Sequence, residues 1–357
     1  MRQRFPLVMI IFLLIFMAGC AIGDSLIKTS PIITDTLTDY REAISEGGLL
    51  VHYIDVGQGD ATLIQLFTGE NILIDAGEVD KGLVVQEYLL AQGVEKIDYL
   101  IVTHPHSDHI GGLPVIIDNF AIGQIYMPKV VHNTTTYENL LLSIKNKGLK
   151  VTAAKAGIRL PTSEAFAISF LAPNADKYES LNNYSIVTKL EYQEHVFLFT
   201  GDAEPISGRE IINNNYDIRA QVLDIAHHGS TNSLSSKEFL QRVNPDIAVI
   251  SVGSDNSYNH PHAEILEILQ EMGVNILRTD QDGNIIIVSD GEKFTINKNI
   301  VLNNDKTFTA KYIGNKNSKV FHLPTCGSLP SEKNRIYFTS RDEALANGYK
   351  PCGQCQP

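Results

Sequence analysis

The sequence predicts an α/β fold, with sheets covered by helices, followed by a small α+β module at the C-terminus. Three observations predict it. Apolar runs of strand length recur from Leu49 onward, bounded by Gly, Asp and Asn, with helix-length stretches set between them. Histidines and aspartates gather where those runs end, a place where a sheet can mount ligands on a rigid base. Residues 311–357 hold three of the four cysteines, close to a histidine and to one another.

At 357 residues the chain is long enough for one large domain and a small module, so core size is not limiting. Its formal net charge of −12 is unevenly spread. From Lys311 to Pro357 seven Lys/Arg face three Asp/Glu, a net +4, which leaves −16 on the rest. An acidic body with a basic tail concentrates any polyanion contact in the tail.

The N-terminus, MRQRFPLVMIIFLLIFMAGC, has Arg2 and Arg4, an apolar run from Phe5 to Ala18, and then Gly19-Cys20. The run is short for a membrane span and matches a secretory signal over 1–20. Cys20 after Met-Ala-Gly resembles a bacterial lipobox, whose cysteine is acylated and becomes the mature N-terminus; Met17 stands where leucine is usual. The alternative is an uncleaved anchor helix. Both place the protein on the extracellular face of the cell membrane. Residues 21–47 carry Ser, Thr and Asp without sustained periodicity and read as a flexible tether.

The body runs over 48–298. LLVHYIDV alternates as a strand, GQGD is a turn, ATLIQLF is a second strand and NILIDAGE a third. A helix is expected near 83–91, then the strand of IDYLIV. Further strands are expected at 123–127, 166–171, 186–192, 196–200, 221–226, 246–252, 275–279 and 284–288, with helices near 135–147, 204–214, 235–243 and 262–272. No short-period repeat is visible, and a linker over 299–310 leads to the tail.

After IDYLIV the chain reads THPHSDHIGG. His104 and His106, two apart on backbone that Pro105 keeps extended, point to one side. The Asp108-His109 pair can turn to a second point nearby, and Gly111-Gly112 closes the loop. Such a cluster suits two metal ions better than one, and mixed imidazole and carboxylate ligands suit zinc or another first-row divalent metal. Other strand ends carry Asp202, His227-His228, and His260 with His262. Asp202, reaching between two ions, would bridge them. A hydroxide shared by the ions would be the nucleophile, since bound metal lowers the pKa of water from 15.7 to roughly 7. No Ser-His-Asp order competes, and the body has no cysteine after Cys20.

THPHSDHIGG matches the His-x-His-x-Asp-His signature of the metallo-β-lactamase superfamily. With HYIDVGQGDATLI, NNYSIVTKLEY, FLFTGDAE, AHHGS and NHPHAEIL in this order, the chain resembles the ComEC-like, competence-related branch, named for the extracellular domain of the DNA-uptake channel protein. The similarity covers about Leu49 to Asn297 and implies an αβ/βα sandwich. It also implies that His104 and His106 hold a first metal and that Asp108 and His109 hold a second. Asp202 would bridge, and His227 would complete the second site, or His228 if the strand register differs by one. Asp75, ending NILIDAG, matches an aspartate that supports the His-rich loop. Many members supply a further histidine before the bridging aspartate. Here LNNYSIV offers Asn183 and Ser185 instead, while His132 comes too early and His195 falls in an expected hairpin turn. The first metal is thus short of a strong ligand, which leaves single occupancy, or manganese in place of zinc, open. Asp60, the last residue of GQGD and just past its turn, is expected to orient the His-rich loop. His260 is expected at the cleft rim, contacting a phosphate or protonating a leaving oxygen. His262 belongs either there or at the cap of the following helix.

The tail holds His322, Cys326, Cys352 and Cys355, spaced His-x3-Cys and Cys-x2-Cys around a loop-strand-helix interval. Four soft ligands in two close pairs describe a closed, structural zinc site, a staple that so small a module needs. The competing Cys352–Cys355 disulfide would leave Cys326 over. Residues 311–357 resemble the metal-binding domain of the Ada DNA-repair protein, with a histidine in place of one cysteine. The resemblance implies a zinc-stabilised module that contacts nucleic acid, and Lys319, Lys333, Arg335 and Lys350 are its candidate phosphate contacts.

The expectation is a lipid-anchored hydrolase with two divalent metals (zinc or manganese) in the body and one structural zinc in the tail. Its expected substrate is a phosphodiester in extracellular DNA, with Asp108 and His260 beside the reacting group. The rivals are a phosphoesterase on cell-wall phosphorylcholine and a non-catalytic DNA-capture protein. Nothing beyond the superfamily motif points to lactam recognition.

Overall fold

The computed structural model describes residues 32–33, 44, 47–298 and 312–355, without 325, 332–333 and 339–340. The signal segment with Cys20, most of the tether, the linker over 299–310, and Lys333 lie outside the described residues. The strands of the body are β1 (Ile32–Ile33), β2 (Leu49–Tyr53), β3 (Thr62–Leu66), β4 (Asn71–Ile74), β5 (Lys96–Ile101), β6 (Ala121–Pro128), β7 (Val151–Ala154), β8 (Phe166–Phe170), β9 (Thr188–Tyr192), β10 (His195–Phe199), β11 (Val222–Asp224), β12 (Ile247–Ile250), β13 (Asn275–Arg278), β14 (Ile285–Ser289) and β15 (Phe294–Lys298). They form a nine-stranded sheet, ordered β1-β15-β14-β2-β3-β4-β5-β6-β7, and a six-stranded sheet, ordered β13-β12-β11-β10-β9-β8.

Alternation along the strands decides the layers. Val51, Ile64, Ile72 and Ile287 of the first sheet meet Phe197, Phe199, Val222 and Val249 of the second in one apolar core. On the opposite face of the first sheet, Leu63, Leu73 and Leu100 lie under helices Gly82–Ala91, Leu113–Asn119 and Thr135–Asn146, through Tyr88, Leu89, Ile116 and Leu140. Leu198, Leu223 and Ala248 are covered by helices Pro205–Asn213, Lys237–Val243 and Ala263–Glu271, through Ile211, Leu240 and Leu269. Each Val, Leu, Ile or Phe side chain among them contributes about 1.5–3 kcal/mol on burial. The four layers, helix, sheet, sheet and helix, are the expected αβ/βα sandwich. Two of its helices begin where the sequence places a capping hydroxyl: Thr134 accepts from Tyr137 N at 3.3 Å and Ser236 from Phe239 N at 3.3 Å.

β4 through β7 run parallel, and so do β10 through β13. The C-terminal ends of parallel strands are where an α/β sheet accommodates a ligand, and the loops after β4, β5, β10 and β11 meet there.

Three expectations are corrected. The tether is not without structure, because the β-branched pair Ile32–Ile33 forms β1, which joins β15 in parallel at the sheet edge (Ile32↔Phe294). Ile44 also packs on Leu50, Ile286 and Val288. His195 is not in the hairpin turn: it opens β10, is buried, hydrogen-bonds Ser289 Oγ at 2.7 Å and stacks on Phe294 with ring centroids 3.7 Å apart. Finally, β7, β15 and helix Leu113–Asn119 were not anticipated. The helix is short and starts just after Gly112, directly behind the His-rich loop, so its periodicity is brief.

The tail is a separate small sheet of β16 (Tyr312–Asn315), β17 (Val320–His322), β18 (Arg335–Phe338) and β19 (Lys350–Pro351), ordered β18-β16-β17-β19, with a helix at Arg341–Ala346. Among the described residues its core is only Phe321, Phe338, Ala344 and Tyr349, with Tyr312 and Ile336 partly buried against it. Among the described residues no helix is long and apolar enough to cross a membrane.

Candidate metal centre

Asp75 follows β4 in a left-handed backbone conformation (φ 56°) and is wholly buried. Its Oδ1 accepts Thr103 N at 2.9 Å, and its Oδ2 accepts the Thr103 hydroxyl at 2.5 Å and His109 Nδ1 at 2.8 Å. Thr103 Oγ1, having donated to Asp75, accepts His104 Nδ1 at 3.1 Å. One carboxylate therefore fixes the proton on Nδ1 of two histidines and turns Nε2 of each toward the site. Burial pushes the Asp75 carboxyl above its ordinary range, against the pull of His109 and Thr103.

Glycines bring the neighbouring loops into register. A Cβ on Gly59 would collide with Asp108 O, and one on Gly112 would collide with Ala76 O. Only glycine permits these approaches, which let Asp60 N donate to Asp108 O at 3.2 Å and Gly112 N to Gly77 O at 3.0 Å. Asp60 then sits behind two imidazoles, 3.3 Å from His228 Nδ1 and 3.8 Å from His109 Nδ1.

Asp202, at the end of β10, lies between two sets of donors. On one side its Oδ2 is 3.6 Å from His104 Nε2, and His104 Nε2 is 3.0 Å from His106 Nδ1. On the other side its Oδ1 is 3.2 Å from His109 Nε2 and 3.6 Å from His228 Nε2. Asp108 Oδ2 is 3.4 Å from His228 Nε2 and 4.0 Å from His109 Nε2. Ligand atoms of His104, His106 and Asp202, and of Asp108, His109, Asp202 and His228, lie within 4.8 Å of one another in each set.

Nε2 of His109, Nε2 of His228 and Oδ1 of Asp202 are buried and have no hydrogen-bond partner. Leaving one such atom unsatisfied costs about 1–3 kcal/mol, and three of them converge. Burial opposes charge on His109 and His228, yet the carboxylates of Asp202, Asp108 and Asp60 hold both well above the ordinary imidazole range. Despite their own burial, Asp202 and Asp108 are held below the usual carboxylate range by His109 and His228. An acidic pocket lined by inward-facing imidazoles, whose protons a cation can displace, is a cation site, and two imidazole–carboxylate sets sharing Asp202 fit a pair of divalent ions.

His228, not His227, joins the second set. Both residues have positive φ (54° and 55°), so the chain folds back after β11 and successive side chains diverge. His228 goes inward, and its Nδ1 donates to Ser251 O at 2.8 Å, which leaves Nε2 free to ligate. His227 faces the cavity, with Nε2 3.7 Å from Asp202 Oδ2. Asn183 and Ser185 do not complete the first set. The Asn183 amide is spent on Glu204 (Nδ2 to Oε2, 2.8 Å) and Ser207 (N to Oδ1, 3.3 Å), and Ser185 Oγ accepts Asp202 N at 3.2 Å. Asn182, which residue type and spacing alone did not single out, lines the cavity and has a buried Oδ1 without a partner.

A cavity of about 690 Å³ opens over the donors; its wall includes Gln58, Glu78, His132, Asp255, Tyr258 and His260. His132 comes early in sequence for a site residue, yet its ring lies 6.0 Å from that of His106, with Nδ1 3.3 Å from Pro105 O. His260 is half-buried, its ring 5.5 Å from that of His227. Burial, together with His228, His227 and His262, lowers its pKa to about 4. At pH 7 it is a neutral hydrogen-bonding ring. His262 is not part of the cavity wall; its Nδ1 accepts Thr231 N at 2.9 Å.

In the tail, ligand atoms of His322, Cys326, Cys352 and Cys355 lie within 4.8 Å of one another, and the three cysteines are free thiols. Parallel pairing of β17 with β19 brings His322 beside Cys352, whose N donates to Phe321 O at 2.9 Å. The set fits one tetrahedral zinc. Lys319 lies over the Tyr349 ring, 4.6 Å from its centroid, and Arg335 Nε donates to Pro330 O at 3.0 Å.

Comparison with known proteins gives two family matches: the metallo-beta-lactamase superfamily over residues 54–253 and the metal binding domain of Ada over residues 297–357. The chain is 32% identical over 258 residues to ComE operon protein 3 of Bacillus subtilis (strain 168), covering 66% of this chain and 32% of that protein. It is 31% identical over 250 residues to competence protein ComA of Neisseria gonorrhoeae, covering 68% of this chain and 33% of that one. The chain thus spans about a third of the length of these relatives. Among solved structures, it is similar to the metallo-beta-lactamase fold protein YhfI from Bacillus subtilis, with 13% identity, a TM-score of 0.44, and coverage of 65% of this chain and 96% of that one.

Proposed function

The chain belongs to the metallo-beta-lactamase superfamily, and from that premise we propose that it is a phosphodiesterase cleaving DNA outside the cell, held at the membrane surface by an acylated Cys20. It is a superfamily hydrolase related to competence proteins, with a C-terminal Ada-type metal-binding domain. The observation that carries the reading is the convergence of His109 Nε2, His228 Nε2 and Asp202 Oδ1, all buried and unpartnered.

When bound, divalent ions supply a water activated near neutral pH and positive charge opposite the phosphate oxygens. The rest is done by this chain. Asp202 holds the two donor sets at one separation. Asp75, directly and through Thr103, keeps His109 and His104 in the tautomer that presents Nε2, and Ser251 O does so for His228. His260, neutral at pH 7, offers a hydrogen bond to a phosphate oxygen on the cavity side of His227. The competence relatives support DNA as the substrate, and the +4 tail supports a contact that the −16 remainder would resist at long range.

One observation favours a second reading. Among the described residues the cavity wall carries Glu78 and Asp255 and includes neither Lys nor Arg, which suits a phosphoester with an attached cation, such as phosphorylcholine. The test is to load the full chain, in detergent, with zinc or manganese and supply a DNA oligonucleotide, bis-p-nitrophenyl phosphate and a phosphorylcholine ester. Cleavage of the first two supports the proposal, and cleavage of the third alone transfers it to the second reading. A metal-loaded chain that binds DNA and hydrolyses none of them is a capture protein.

A further inference from the structure

The cavity mouth carries a side chain that hydrolysis alone does not require. Tyr258 belongs to the cavity wall, yet it is 62% exposed. Its ring lies nearly parallel to that of His260, with centroids 5.6 Å apart and planes at 23°. His260 in turn is 6.2 Å from His228, ring to ring, so Tyr258 is one ring removed from the donor cluster.

The exposure does not come from a loose loop. Asn256 Nδ2 donates to Gly253 O at 2.8 Å and His260 O at 2.7 Å, while Asn256 Oδ1 accepts Tyr258 N at 3.2 Å and His260 N at 2.9 Å. A single amide thereby ties together the backbone on both sides of Tyr258. Gly253 N also donates to Gln58 Oε1 at 3.3 Å, which joins this loop to the turn before Asp60. The loop holds an aromatic face toward solvent at a fixed distance from the site.

Among the described residues, the lining includes no Lys or Arg. Phosphates on either side of a scissile one would find no counter-charge there, so the wall is not built to grip a backbone. It offers a ring face, and stacking on an aromatic side chain is how unpaired bases are held without sequence preference. We propose that Tyr258 is the stacking platform for the nucleobase next to the scissile phosphate, and that this base is unpaired; the proposal rests on the DNA-hydrolase reading. A base inside a duplex has both faces covered by its neighbours, so the substrate at this cavity is a single strand or a frayed end. A choline cation is the weaker occupant, because cation recognition of that kind uses a cage of several aromatic faces. Tyr258 is the only Phe, Tyr or Trp among the described lining residues.

The test uses metal-loaded full chain, wild type, Tyr258→Ala and Tyr258→Phe. The substrates are a dinucleotide, whose single phosphodiester fixes the scissile position, its analogues lacking one base, and a phosphorylcholine ester. Tyr258→Ala is expected to raise KM for the dinucleotide roughly 5- to 150-fold, the range for one stacked base, with kcat unchanged and Tyr258→Phe behaving as wild type. Removing the stacked base should cost wild type a similar factor and cost Tyr258→Ala nothing, a coupling that a merely structural role would not produce. If Tyr258→Ala handles the dinucleotide like wild type, the platform is refuted while the hydrolase stands. If it loses only the phosphorylcholine ester, the ring serves a cation and the proposal is equally refuted. If the loaded wild type cleaves no nucleotide substrate, the DNA-hydrolase reading falls and the platform with it.

Discussion

Asp75→Asn isolates the support of the metal centre from its ligands, because Asp75 reaches the site only through other residues. Its Oδ2 receives both the Thr103 hydroxyl and His109 Nδ1–H, and its Oδ1 receives Thr103 N–H. Asparagine has one oxygen and one NH₂ in the same outline. If the NH₂ takes the Oδ1 position it faces Thr103 N–H, donor against donor in a fully buried place. If it takes the Oδ2 position, His109 must move its proton from Nδ1 to Nε2 to accept it. Nε2 is the atom that faces Asp202 at 3.2 Å, and a protonated Nε2 has no lone pair for an ion. The first choice costs about 1–3 kcal/mol of stability. The second costs about 10- to 100-fold in metal affinity, the usual effect of losing such an outer partner.

Calorimetric titration of the metal-free full chain with zinc or manganese, alongside thermal unfolding, separates the two outcomes. At least one of the two changes is expected, with far-UV circular dichroism retained. An Asp75→Asn chain with wild-type metal affinity and wild-type stability would show that Asp75 does not set the tautomer of His109, and the argument from its hydrogen bonds would be wrong.

Other consequences are open to measurement. Asp202→Ala removes the carboxylate common to both donor sets and is expected to lose both ions by elemental analysis and all hydrolysis, with the fold kept; one ion retained at wild-type affinity would refute the shared role. His109 and His228 are held above the ordinary imidazole range without metal, so both carry protons at pH 7 that an ion must displace. Zinc binding there is expected to release protons and to weaken as pH falls, which calorimetry in buffers of different ionisation enthalpy measures; heats independent of the buffer would contradict it. Cys352→Ser is expected to unfold the tail, whose described core is four residues, and to flatten the salt dependence of DNA binding by about 0.9 in log–log slope for each phosphate that the tail no longer neutralises; an unaltered slope would show that the tail does not bind DNA. Cys20→Ser is expected to abolish labelling by a lipid precursor, and labelling that persists would rule out the lipobox.

The two-sheet fold was legible because its strands alternate cleanly. ATLIQLF places Leu63 under the helices and Ile64 and Leu66 in the central core, as a period of two requires. Where alternation is short or weak the reading failed. Val151–Ala154 has exposed or half-buried residues at three of its four positions, so no apolar stripe marks it. The tether misled for the opposite reason. Ile32–Ile33 is too short to register as a strand alone and becomes one only because β15 presents an edge to pair with, a partner more than 250 residues away in sequence.

The candidate metal donors divide along the same line. His104, His106, Asp108 and His109 sit within one short loop, where chain geometry alone holds them together, and residue type and spacing sufficed to group them. The choice between His227 and His228 depended on backbone torsion. Alternation along an extended strand would send one inward and one outward, but both residues have left-handed φ, and no residue type at those positions announces it. His132 shows the limit most plainly. It lies 23 residues beyond His109, too early in sequence for the further histidine expected before the bridging aspartate, but the turn after β6 returns it to 6.0 Å from His106, ring to ring. Asn183 failed for a related reason, since its amide is claimed by Glu204 and Ser207 from the far side of β10. A polar residue near a site is a ligand candidate only while its hydrogen bonds are unspent. That condition depends on which neighbours the topology brings to it, and at this centre it leaves Asn182 Oδ1 unspent beside the cavity while Asn183 is fully engaged.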